Sequence, residues 1–151
     1  MQRPLYKQSK QSRIKRLIMD DDWIKEMLKE QKIYDRLSVN DIKKVYKKLI
    51  EVARKGKQKN GMGIIFYGEI MDIVGLDGEN AYDREVVLGR MLGGISEHED
   101  KGDKPLLSAV VVLKDGKIPA KGFYGFNDTL MSNEEFWFKE IRKVWDYWSK
   151  H

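Results

Sequence analysis

The chain contains no cysteine and only two histidines among its 151 residues. The first absence excludes disulfide bonds, thiolate zinc sites and a cysteine nucleophile, and it fits a reducing compartment. The second leaves little material for a serine–histidine catalytic pair. No apolar run approaches the roughly 20 residues that a membrane-spanning helix needs. The basic start is not followed by the apolar stretch of a secretion signal. These absences predict a soluble cytoplasmic protein with no membrane partner. Internal repeats and low-complexity tracts are also missing.

What is present is enough for one globular domain. Hydrophobic residues make up 41% and aromatics 11% of a 17.8 kDa chain, a size that supports one core. The net charge is +5, and its distribution is uneven. Residues 1–60 hold 18 Lys/Arg against 8 Asp/Glu, whereas residues 61–151 hold 11 against 16. The asymmetry reads either as a surface for a polyanion or as a lysine-rich solubilising face. Arg3, Lys7, Lys10, Arg13, Lys15 and Arg16 occur with no acid among them, so residues 1–19 are expected to form a basic flexible arm. Such an arm could lie along phosphates or be an uncovered terminus. Residues 20–151 are expected to form a single winged-helix-like domain.

Periodicity supports this division. Asp20 to Asp22 precede Trp23, Ile24, Met27 and Leu28, which recur at helical spacing. Ser38 or Asn40 can cap a second helix, whose apolar face is Ile42, Val45, Tyr46, Leu49, Ile50 and Ala53. Gly56 is expected to stop it, and a polar loop follows to Gly63. Ile64 to Phe66 is strand-like. Gly68 to Val74 reads as a short helix, broken at Gly75-Leu76-Asp77-Gly78. Tyr82 to His98 reads as a longer helix with Val87, Leu88, Met91, Leu92 and Ile95 inward, weakened by Gly89, Gly93 and Gly94. Leu106–Leu113 and Lys117–Phe126 flank Asp115-Gly116, a hairpin signal, with Pro119 placing the second strand at an edge. Ser132 and Glu135 form a capping box before a helix carrying Phe136, Ile141, Val144, Trp145 and Trp148. The expected fold class is α+β: a winged helix-turn-helix with two added N-terminal helices and a C-terminal helix.

Four motifs in order carry a family resemblance. Tyr67-Gly68-Glu69-Ile70, Leu88-Gly89-Arg90-Met91-Leu92, Val111-Val112-Leu113-Lys114-Asp115-Gly116 and Gly122-Phe123-Tyr124 resemble the winged-helix DNA-binding domain of O6-alkylguanine-DNA alkyltransferases and alkyltransferase-like proteins. The resemblance runs roughly from Phe66 to Tyr124. It implies a DNA-binding fold. It also places Ser108 where that family's alkyl-accepting Cys stands, with Ala109 and Val110 at its His and Arg. A serine with no histidine beside it is not an alkyl acceptor, because nothing lowers the pKa of its hydroxyl. The alkyltransferase-like proteins lack that Cys and still bind DNA, so the resemblance implies binding rather than transfer. The region further resembles small uncharacterised microbial proteins through Pro105-Leu106-Leu107-Ser108-Ala109-Val110-Val111-Val112 and onward to Trp148. That likeness implies no activity.

The expected function is non-catalytic double-stranded DNA binding, regulatory or associated with DNA repair, with no cofactor. Asn80, Tyr82, Arg84 and Arg90 would lie along the helix that enters the major groove. Tyr67 belongs to the same candidate set. Lys114, Lys117 and Lys121 would sit on the wing, where they contact phosphates or merely protect a sheet edge. Lys43 and Lys47 would add phosphate affinity from the second helix. Glu79, Asp83 and Glu85 lie among the reading residues and would repel phosphates. Glu97, Glu99 and Asp103, near His98 and Asp100, are the weak candidates for a divalent metal, which would make the protein a metal-dependent nuclease or other nucleic-acid enzyme. The same acids could instead pair with the basic N-terminal helices. Ser108 has apolar neighbours and no Gly-x-Ser-x-Gly elbow, so a small residue in a buried strand is its expected role. Trp137, Trp145, Tyr147 and Trp148 could stack on bases, but at helical spacing they are expected in the core. A protein-interaction module reusing the fold is the third reading.

Overall fold

The structure is a computed structural model that describes residues 21–58, 62–76 and 80–151. The expected basic arm, Asp20, and Asp77 to Glu79 lie outside the described residues. Among the described residues, five helices and two short strands follow in the order α1 (Asp22–Glu30), α2 (Val39–Lys55), β1 (Ile65–Phe66), α3 (Tyr67–Val74), α4 (Ala81–Lys101), β2 (Val111–Val112) and α5 (Asn133–Lys150). Two 3-10 segments, Leu107–Val110 and Lys121–Phe126, flank β2. The class is α+β, as expected.

Helix ends follow local chemistry. Ser38, not Asn40, caps α2: its side chain accepts from the Asp41 N–H, and the Asp41 carboxylate accepts from the Ser38 N–H. All six residues expected on the apolar face of α2 are buried, and Val52 joins them. α3 ends at Gly75 in the left-handed region (φ 68°), which lets the Leu76 N–H reach back to the Met71 carbonyl. Asn80 caps α4 by accepting from the Tyr82 N–H at 2.9 Å. Ser132 caps α5 by accepting from the Glu135 N–H. The helix that carries Trp23 stops at Glu30.

α2 runs through the centre, touching α3, α5 and the first 3-10 segment, while α1 covers α4. Three buried hydrogen bonds tie distant parts to one another. Trp137 Nε1 donates to the Ala109 carbonyl at 2.9 Å, the Leu106 N–H donates to Glu140 Oε1 at 2.9 Å, and Tyr46 donates to Glu99 at 2.5 Å. Trp145 Nε1 also donates to the Gly63 carbonyl. The four C-terminal aromatics named as possible base-stacking groups are thus committed to the core or packed at its margin.

The expected hairpin is not formed. β2 pairs instead with β1, in parallel, with Ile65 opposite Val111 and Phe66 opposite Val112. Leu107–Val110 and Lys121–Phe126, expected as strands, are 3-10 turns. The Asp115-Gly116 signal does mark a reversal: Gly116 and Lys117 have φ of 78° and 51°, and the Leu113 N–H donates to the Ile118 carbonyl at 2.7 Å. Pro119, which has no N–H, follows at once, so the ladder cannot extend. The lysine-bearing segment is a loop, not a two-stranded wing.

Candidate nucleic-acid interface

The sequence-expected reading residues divide sharply in α4. Tyr82 is 76% exposed at the start of the helix. Asn80 is committed to the cap through its side-chain oxygen. Arg84 is half-buried, with its Nε buried and unpartnered among the described residues. Arg90 is exposed, its Nη1 lying 3.5 Å from the Gln31 carbonyl. Of the acids that oppose phosphate binding, Asp83 is paired to Arg36 at 2.5 Å and Glu85 is exposed. The pairing offsets one of the negative charges in the first turn of α4.

The loop lysines Lys114, Lys117 and Lys121 are all exposed. Tyr67 holds the segment just before Lys121: its hydroxyl oxygen accepts from the Ala120 N–H at 3.1 Å. Tyr67 is therefore a support for the loop before it is anything else. Burial pushes its hydroxyl above the ordinary tyrosine range, so it keeps its own proton. Lys43 and Lys47 behave differently from each other. Lys43 pairs with Asp21 at 2.5 Å, while Lys47 is exposed.

Helix α4 and the lysine loop border one cavity of about 530 Å³. α3 contributes Tyr67 and Met71, α4 contributes Glu85, Leu88, Gly89, Leu92 and Gly93, and the far wall is Ser108 with the segment around Lys121 and Phe123. The wall is mostly apolar. Ser108, the position matched to the alkyl-accepting Cys, lies in it. Its hydroxyl is 2.6 Å from the Ser96 hydroxyl, and its N–H donates to Ser96 Oγ at 3.1 Å. Ala109 and Val110 are fully buried and offer neither acid nor base. Ser96 was not among the sequence-expected residues. Its position one turn beyond Leu92 on the inward face of α4 was the available signal.

The acidic cluster does not assemble. Glu97 and Asp103 are exposed, whereas Glu99 is fully buried and bonded to Tyr46. Among the described residues no group of three acids or histidines is placed to hold a metal ion. His98 stacks on Trp23, with ring centroids 3.8 Å apart. Nor is any described helix long and apolar enough to cross a membrane.

Comparison of the chain with protein-family models, with curated proteins and with solved structures returns no match.

Proposed function

We propose that the chain is a non-catalytic double-stranded DNA-binding protein, acting in regulation or alongside DNA repair in the cytoplasm, and built as a variant of the winged helix-turn-helix. The observation that carries this reading is the shared cavity border: Glu85 and Gly89 of α4 and Lys121 of the loop line the same depression. The α4 stretch from Glu85 onward and the segment carrying Lys121 thus border one region, as a helix in the groove and a flanking phosphate contact require. The order α3, tight turn at Gly75, α4 supports the reading, as do the motifs shared with alkyltransferase-like proteins. Among the described residues the Ser108 hydroxyl is bonded to another serine and to no base, which favours binding over transfer.

Fluorescence anisotropy of a labelled 20-base-pair duplex, titrated across a salt series, tests the proposal. Affinity is expected to fall steeply with salt, and replacing Lys114, Lys117 and Lys121 with Ala is expected to reduce the log–log slope by about 3, close to one unit per lost phosphate contact. No binding at low salt, or a slope unchanged by the triple substitution, would refute it.

A further inference from the structure

A groove of about 740 Å³ lies between the end of α4, the 126–131 segment and α5. Its floor is apolar: Leu106 and Phe136 are buried there, and Phe126 and Met131 are half-buried. Its lining carries five carboxylates against four lysines, a balance that suits neither a polyanion nor a polycation. Most of the charges at its centre are already engaged within the protein. Glu140 Oε1 accepts from the Leu106 N–H, Asp146 lies between Lys57 and Lys150, and Lys104 sits over the Trp148 ring. His151 stacks on Tyr147.

The charges left over divide by element. Asp100 and Asp103 from the end of α4 and Asp128 from the loop have no ion pair among the described residues. Lys139 and Lys143 of α5 make only long contacts along their own helix, to Glu135 and Glu140, both at 3.7 Å. Free acids on one part of the groove and loosely held lysines on another are complementary to a second copy turned about a two-fold axis.

An apolar anchor stands at the rim. Asn127 Oδ1 accepts from the Thr129 N–H and hydroxyl, and Asn127 Nδ2 donates to the Met131 carbonyl and to Asn133 Oδ1. The Met131 N–H donates to Thr129 Oγ1. These bonds fix the chain on both sides of Leu130, whose side chain is fully exposed. Asp128, Thr129 and Met131 line the groove and Leu130 does not, so it projects away from its own floor. Alone, an exposed leucine calls for no explanation. Here it is held by a pre-ordered loop, which loses little freedom on binding, beside an apolar floor of self-complementary charge.

We infer that this groove is the contact face between two copies of the chain, related by a two-fold axis. Leu130 of each copy seats over Phe126 and Met131 of the other, and the free aspartates of each face Lys139 and Lys143 of the other. The inference does not rest on DNA binding, and its test contains no nucleic acid.

Sedimentation velocity of the full chain, run over about three decades of concentration up to about 1 mM, is expected to show a monomer–dimer equilibrium set by mass action. Leu130→Asp, at a side chain outside the core, is expected to weaken the dimer by about tenfold or more with the far-UV circular dichroism retained. Lys139→Glu with Lys143→Glu makes the free charges of the groove acidic, and Asp100→Lys with Asp128→Lys makes them mainly basic. Each double variant is expected to stay monomeric alone, and an equimolar mixture of the two is expected to restore the dimer. A monomer at every concentration, assembly beyond two copies, undiminished association of Leu130→Asp, or a mixture that stays monomeric would each overturn the inference.

Discussion

The Tyr46 hydroxyl donates to Glu99 Oε1 at 2.5 Å, joining α2 to α4 through side chains that are 2% and 0% exposed. Glu99 Oε2 has no hydrogen-bond partner among the described residues. Desolvation pushes the Glu99 carboxyl above the ordinary range, against a smaller opposing pull from the Tyr46 hydrogen bond and the Lys104 charge. The native state therefore holds this proton more tightly than the unfolded chain does. Below the ordinary Glu value both states are protonated and there is no penalty. As pH rises from there toward the raised value, stability falls, and it then levels off. Urea unfolding across pH 4 to 8 is expected to show this decline, with Glu99→Gln flattening it by up to about 1.4 kcal/mol per pH unit. Parallel profiles for the two proteins would contradict the assignment. Tyr46→Phe is expected to cost about 1–3 kcal/mol at neutral pH, because the buried carboxylate loses its donor.

Ser96 and Ser108 allow a similar separation of effects. Ser96→Ala leaves both the buried Ser108 N–H and its hydroxyl without their partner, an expected loss of about 1–3 kcal/mol. Ser108→Ala removes the hydroxyl pair alone and keeps the N–H bond to Ser96, so about 0.5–1.5 kcal/mol is expected. Chemical denaturation of both single variants and the double variant checks the order. Equal losses would show that the N–H bond contributes nothing.

Glycine-to-alanine substitutions should change sign with position. At Gly56 a Cβ would enter the space of the Trp145 ring, whose Nε1 is held by the Gly63 carbonyl at 2.8 Å. Gly56→Ala is expected to lower stability by about 1–3 kcal/mol through displacement of that ring. Gly89→Ala meets open space in a helix interior and is expected to raise stability by up to about 1 kcal/mol. Thermal melts of the two variants should move in opposite directions; a fall in both would show that Gly89 has a backbone role.

Helical faces were legible in the sequence because they depend on spacing within one segment. Ile42 to Ala53 in α2 and Val87 to Ile95 in α4 are buried where the 3.6-residue period puts them. The hairpin was misread for a related reason. Asp115-Gly116 reports a local reversal correctly, but the partner of Val111 and Val112 is Ile65-Phe66, which no local signal identifies. Leu107 to Val110 has the composition of a strand, yet it turns as a 3-10 segment under constraints from elsewhere: Trp137 on the Ala109 carbonyl, Ser96 on the Ser108 N–H. Of the candidate site residues, Tyr82 and the loop lysines are exposed, but Glu99 faces inward because a tyrosine on the neighbouring helix receives it, which no local pattern signals. The glycines of α4 looked like defects in a helix, and only the surrounding walls reveal the space they leave.

The parallel pairing of Ile65-Phe66 with Val111-Val112 has a consequence for assembly of the protein. Two helices of the candidate interface, α3 and α4, lie between those two strands in the chain. Their pairing closes that stretch into a ring whose entropy cost precedes any reward from the contacts inside it. During synthesis from the N-terminus, α4 emerges before its clasp, and the final lock on the Ala109 carbonyl waits for Trp137. The cavity wall at Ser108 should therefore be among the last surfaces to take shape, and a nascent chain halted before α5 should display the apolar face of Leu88 and Leu92 to solvent or to chaperones.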